Sequence, residues 1–141
     1  MTPEKDAALC SKYPQLFSLR SDTGAHAPIG WGIECDDGWY DMIDTLCYQI
    51  QQHVDHLQYQ DSRLPEDQRS DRQVRVLQVK EKFGGLRFYV SGADDFVDGL
   101  IRMAESLSYK TCESCGARGT SRKSGWIKVL CDGCDAARSR A

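Results

Sequence analysis

Two Cys-x-x-Cys pairs govern what this chain can fold into. Cys112-Glu113-Ser114-Cys115 and Cys131-Asp132-Gly133-Cys134 are separated by 15 residues, an interval that fits four-cysteine zinc sites. Two thiolates three positions apart chelate one ion from a tight turn, and two such turns complete a tetrahedron. Sulfur donors suit zinc, whereas calcium and magnesium take oxygen. Between the pairs, Ser124-Gly125 can turn a short hairpin whose second arm is Trp126-Ile127-Lys128-Val129-Leu130, and Asp135-Ala136-Ala137-Arg138 has helical character. A knuckle, a hairpin and a second knuckle opening a helix predict a treble-clef or zinc-ribbon module, with one structural Zn²⁺ on Cys112, Cys115, Cys131 and Cys134. Four thiolates leave no position for water, so the expected zinc is structural and not catalytic. A deaminase would need a His-x-Glu or Cys-x-Glu element upstream; Cys35 is followed by Asp36-Asp37 instead.

Charge divides the chain at the same place. Residues 1–109 hold 11 basic and 18 acidic groups, a net of −7, while residues 110–141 hold seven basic and three acidic groups, a net of +4. This asymmetry predicts an acidic body over 1–109 and a zinc module over 110–141. Zinc with four thiolates carries about −2, so the module's surplus falls to about +2 when the ion is bound. At 141 residues the chain is long enough for a real core, and no apolar run approaches the ~20 residues of a membrane span. The start, Met1-Thr2-Pro3-Glu4-Lys5-Asp6, lacks the basic-then-apolar pattern of a secretory signal. The expected location is therefore cytoplasmic.

Within the body, Pro3, Pro14 and Pro28 with Gly24, Gly30 and Gly32 favour turns and extended chain over a long helix in residues 1–33. Leu9, Tyr13, Leu16, Phe17 and Leu19 suit one short helical or irregular packing segment. From Asp37, a plausible N-cap, Trp39, Met42, Ile43, Leu46, Ile50, Val54 and Leu57 recur at steps of three and four, which predicts a helix. Asp61 to Asp71 reads as an exposed polar loop. Val74, Val76 and Gln78 alternate with Arg75, Leu77 and Val79, and a second run, Leu86 to Val90, follows Gly84-Gly85. That pattern predicts a hairpin with the glycine pair at its turn. Asp94 or Asp95 can cap a last helix carrying Phe96, Val97, Leu100, Ile101, Ala104 and Leu107. The fold class is α+β: helix, β-hairpin, helix, then the zinc module.

Other residues offer chemistry with a plainer reading beside it. Glu34, Asp36, Asp37, Asp41 and Asp44 form the densest acidic stretch. Such carboxylates can hold a divalent ion for catalysis, meet a basic partner, or simply cap a helix and solvate a surface. Arg118, Arg122, Lys123, Trp126 and Lys128 can contact nucleic acid, with the indole stacking on a base; the plainer reading packs the indole over the knuckles. His53 and His56 can share a metal or face solvent. Cys10 and Cys35 can join His26 in a second metal site, while Cys47 sits beside Leu46 on the apolar stripe as a small buried residue. The Lys80 to Phe88 run lacks the Gly-Lys-Ser/Thr ending of a phosphate loop.

The run Gly38 to Cys47, the run Val79 to Val90, and the cysteine tail with Gly125-Trp126 together resemble a group of small proteins encoded by bacteriophages, prophages and scattered bacterial genomes. The resemblance spans about Leu9 to Cys134. It implies metal ligation by the four cysteines and an accessory role on a host machine, including inhibition of bacterial immunity as anti-CRISPR proteins do, in a bacterial host cytoplasm. The expected function is thus a non-enzymatic, zinc-stabilised module that binds a host protein or nucleoprotein complex. Nucleic-acid binding by the basic module is the alternative, and a metal-dependent enzyme on the acidic stretch is the third reading.

Overall fold

This computed structural model describes residues 1–21, 32–123 and 125–140. Helix α1 (Pro3–Lys12) starts on a proline, whose missing N–H and fixed φ suit the first helical position. Pro14 falls just beyond its end, so the two prolines delimit a ten-residue helix where turns and extended chain were expected. A single turn, α2 (Ser18–Ser21), follows, and Leu9, Tyr13, Leu16 and Phe17 are all buried.

The apolar stripe forms α3 (Tyr40–Asp61), burying Ile43, Leu46, Cys47, Ile50 and Val54. Its entry differs from expectation. Asp37 opens a 3₁₀ turn (Asp37–Trp39), and Trp39 takes the N-cap position of α3 without a side-chain cap. The Asp37 carboxylate accepts from the Thr2 N–H at 2.7 Å and pairs with Lys5 at 3.6 Å, so it fastens the start of α1. At the other end, Asp61 is not in an exposed loop. It is the last residue of α3, buried, and paired with Arg72 at 2.7 Å.

Strands β1 (Ile33–Glu34), β2 (Arg75–Lys82) and β3 (Gly85–Ser91) form one sheet in that order, β1 parallel and β3 antiparallel to β2. Strict alternation would put Val76 and Val79 on opposite faces. Both are buried, because the register slips between Val76↔Val90 and Gln78↔Tyr89. The extra residue, Leu77, is a β-bulge that resets the phase.

The hairpin turn is also displaced by one residue from the glycine pair. Lys82 pairs with Gly85, leaving Phe83 (φ 53) and Gly84 (φ 79) as the two turn residues, both with the positive φ of a type I′ turn. Gly85 lies in the strand for a different reason. The Tyr109 ring covers it, and a Cβ there would sit 2.3 Å from Tyr109 Cζ.

Helix α4 (Asp95–Ser108) is capped by Asp94, whose Oδ1 accepts from the Val97 N–H at 3.0 Å. It packs on β3 and α3, and its buried residues join theirs in one apolar core. The remainder is a second, two-stranded sheet, β4 (Thr120–Arg122) with β5 (Lys128–Leu130), followed by α5 (Asp132–Arg138). The molecule is α+β with the cysteines at its C-terminal end. Among the described residues no helix is long and apolar enough to cross a membrane.

Candidate metal centre

Local turns aim the cysteines at one point. In the first pair, the Gly116 N–H donates to the Cys112 carbonyl at 2.9 Å and the Cys112 N–H donates to the Ala117 carbonyl at 2.7 Å, closing a knuckle around Cys112 and Cys115. Gly116 takes φ 80 there, which a residue with a Cβ rarely adopts. In the second pair, Cys131 is the N-cap of α5, and its Sγ accepts from the Cys134 N–H at 3.4 Å. The four sulfur atoms lie within 4.8 Å of one another.

The donor set fits a soft metal ion. Cys115 Sγ and Cys131 Sγ are 3.7 Å apart, close to the ~3.8 Å edge of a tetrahedron with ~2.3 Å metal–sulfur bonds. All four thiols are free of disulfides. The N–H at the start of α5 and the neighbouring thiols bring the Cys131 thiol down to about 7, while the Cys134 thiol, next to those same sulfurs, is pushed up to about 12. Crowded thiols divide protons in this way, and a cation replaces those protons when all four ionise.

The centre is joined to the body through Glu113, inside the first knuckle. Glu113 is almost wholly buried. Its Oε1 accepts from the Asp36 N–H at 3.1 Å, and Oε2 lies 3.2 Å from Lys128 Nζ in an ion pair. Burial raises the Glu113 carboxyl, and the Lys128 charge opposes that rise. Lys128 also reaches Asp36 at 2.9 Å. Backbone contacts run beside this network. The Gly38 N–H donates to the Glu113 carbonyl at 2.7 Å, and Trp39 Nε1 donates to the Thr111 carbonyl at 3.0 Å.

The acidic stretch does not converge. Asp36 pairs with Lys128, Asp37 with Lys5, and Asp44 with Lys12 at 2.8 Å, while Glu34 and Asp41 are exposed. The set therefore offers no shared cation site among the described residues. The basic set is likewise divided. Arg122 pairs with Asp132 at 2.5 Å and lies 3.7 Å from Asp135, and Lys128 is engaged by Asp36 and Glu113. Arg118 and Lys123 are exposed. Trp126 does not pack over the knuckles, because its ring is exposed and its Nε1 donates to Glu81 Oε2 at 2.9 Å.

His53 and His56 have separate partners. His53 Nε2 lies 2.6 Å from Asp94 Oδ2 with its ring against Phe96, so it does not simply face solvent, and His56 meets Gln60. Cys47 is buried as expected. Cys10 lies 3.0 Å from an Arg20 donor, beside Asp6; Cys35 is buried, which pushes its thiol up to about 12; His26 lies outside the described residues. The sequence reading missed Glu113 altogether, because a glutamate between two cysteines carries no local sign of burial.

Fold and site together define an α+β protein with a four-cysteine cluster able to hold a metal ion. Comparison with protein-family models, curated proteins and solved structures found no match. The cysteine element is the part of the resemblance to phage-encoded proteins that the structure carries.

Proposed function

We propose that Cys112, Cys115, Cys131 and Cys134 hold one structural Zn²⁺ in a treble-clef-like module, and that the chain is a non-enzymatic binding protein whose recognition surface this module braces. The observation that carries the reading is the closed set of four sulfur donors within 4.8 Å of one another. Four thiolates satisfy the tetrahedron, so the ion supplies folding energy and keeps no position for substrate. The partner is a protein or nucleoprotein complex of a bacterial host. The acidic surplus of residues 1–109 supports a protein contact, and the phage-like motifs support a host setting.

Metal analysis and native mass spectrometry test the first half: about one zinc per chain is expected, and Cys112→Ser or Cys131→Ser should lose it together with the order of the C-terminal module. Full folding without any metal would overturn the proposal.

A further inference from the structure

Residues two apart on a strand share a face. On β3, Leu86 and Phe88 enter the core, which turns Arg87 and Tyr89 to the opposite side. Lys80 pairs with Arg87 and Lys82 with Gly85, so both lysines share that side. Glu34, across from Lys80 on β1, is the acidic neighbour at its far edge. Cations and rings interleave here. Lys80 Nζ is 5.7 Å from the Tyr89 ring centroid, Lys82 Nζ is 5.5 Å from that of Phe83, and Arg87 donates to the Tyr109 hydroxyl at 3.1 Å. Glu81, paired with Leu86, turns to the other side and holds the Trp126 indole there.

Two features leave this surface open to a ligand. Phe83 is the sole non-glycine residue with positive φ among those described, and its ring is 67% exposed. A bulky residue is unfavourable at that φ, and asparagine would serve the same turn without the penalty. Backbone strain that presents an exposed ring points to a task for the ring. Tyr89 is 42% exposed. Secondly, Lys80, Lys82 and Arg87 have no carboxylate within ion-pair distance among the described residues, although residues 1–109 carry a net −7.

We propose that this face binds a single nucleic-acid strand, with bases stacking on Phe83 and Tyr89 and phosphates meeting Lys80, Lys82 and Arg87. Flat rings accept any base, and unpaired cations follow the backbone. A duplex hides its base faces and is refused. Rings and phosphates are the groups it meets, and both kinds of strand present them, so DNA and RNA bind alike. The site shares no residue with the basic set read in the sequence. It deepens the proposed function and rests on it: the nucleic-acid part of a nucleoprotein partner is what docks here.

The test is fluorescence anisotropy of the zinc-loaded full chain with a short labelled oligothymidylate, its oligouridylate counterpart and a duplex. Binding of both single strands is expected, with a log–log salt slope of about −2 for three phosphates. Phe83→Asn should raise the melting temperature, since it relieves the turn, yet weaken binding by about tenfold. Tyr89→Ala should weaken it similarly, Trp126→Ala should leave it unchanged, and Lys80→Gln with Lys82→Gln should flatten the salt slope. Unchanged affinity in Phe83→Asn, equal binding of duplex, or affinity indifferent to salt would each overturn the inference. A folded, zinc-loaded chain that ignores the oligonucleotides sinks this inference alone, whereas a chain that folds without zinc sinks the proposed function.

Discussion

Gly38 and Gly99 show how differently one missing methyl group acts in two settings. A Cβ on Gly38 would lie 2.3 Å from the Cys112 carbonyl oxygen, 2.5 Å from that of Glu113 and 2.5 Å from Gly116 N, all of them backbone atoms of the first knuckle. None of these can move without opening the cysteine turn. A Cβ on Gly99, in the middle of α4, would meet nothing within 4 Å. Gly38→Ala is therefore expected to cost ~1–3 kcal/mol or more and to loosen the metal, whereas Gly99→Ala should gain ~0.5–1 kcal/mol through helix propensity. Thermal melts, with chelator competition for the metal, check both. Equal effects from the two substitutions would contradict the close approach at Gly38. Lys128 makes a related point about charge: it sits between Asp36 and buried Glu113, so its positive charge balances an interior carboxylate and is not free for a phosphate.

Two aspartates fasten elements to one another through arginines. Asp6 on α1 binds Arg20 on α2 and accepts from the Ile33 N–H of β1 at 3.3 Å; Asp61 closes α3 onto Arg72, ahead of β2. For Asp6, burial alone would raise the carboxyl, but hydrogen bonding and charge from Arg20 hold it below its ordinary 3.8; for Asp61 the Arg72 hydrogen bond does the same. A lowered folded value means that the stabilisation is complete above the ordinary carboxylate range and disappears as pH falls through the folded values. Melting temperature should hence fall below pH 3.8, and Asp6→Asn or Asp61→Asn should flatten that fall by lowering the plateau above it. A wild-type acid profile superimposable on the variants' would refute the assignment. At this scale the sequence was informative where a pattern is periodic: the α3 stripe, the α4 face with its Asp94 cap, and the two hairpin strands. It was silent where tertiary contact decides. Nothing local distinguishes a turn at Phe83-Gly84 from one at Gly84-Gly85 until Tyr109 covers Gly85, and nothing announces the Leu77 bulge. Cysteine spacing made the four-sulfur cluster legible, but the pairings that engage Lys128 and three of the acidic residues are long-range.

Over the whole molecule, the apolar core and the cysteine centre meet at Trp39. It is fully buried in the body's core, which excludes Cys112, Val129 and Leu130 of the cysteine end, yet its Nε1 donates to the Thr111 carbonyl, one residue before the first cysteine of the cluster. Gly38 and Asp36, just ahead of it, are bonded to Glu113. The cysteine cluster and the body thus meet at the entry to α3, through these hydrogen bonds. Structural zinc contributes ~10–16 kcal/mol of binding energy in small modules, comparable with the ~5–15 kcal/mol that holds a whole domain together. Chelation should therefore reach beyond the module. The body's own core keeps α3 and α4 helical, so the far-ultraviolet signal should largely persist. The melting temperature should drop, and Trp39, read in a chain with Trp31 and Trp126 replaced by phenylalanine, should shift its emission to the red as Thr111 and Glu113 release the start of α3. Restoring zinc should reverse both changes. If complete metal removal leaves the Trp39 emission and the melting temperature where they were, the cysteine centre is an appendage and this coupling does not exist.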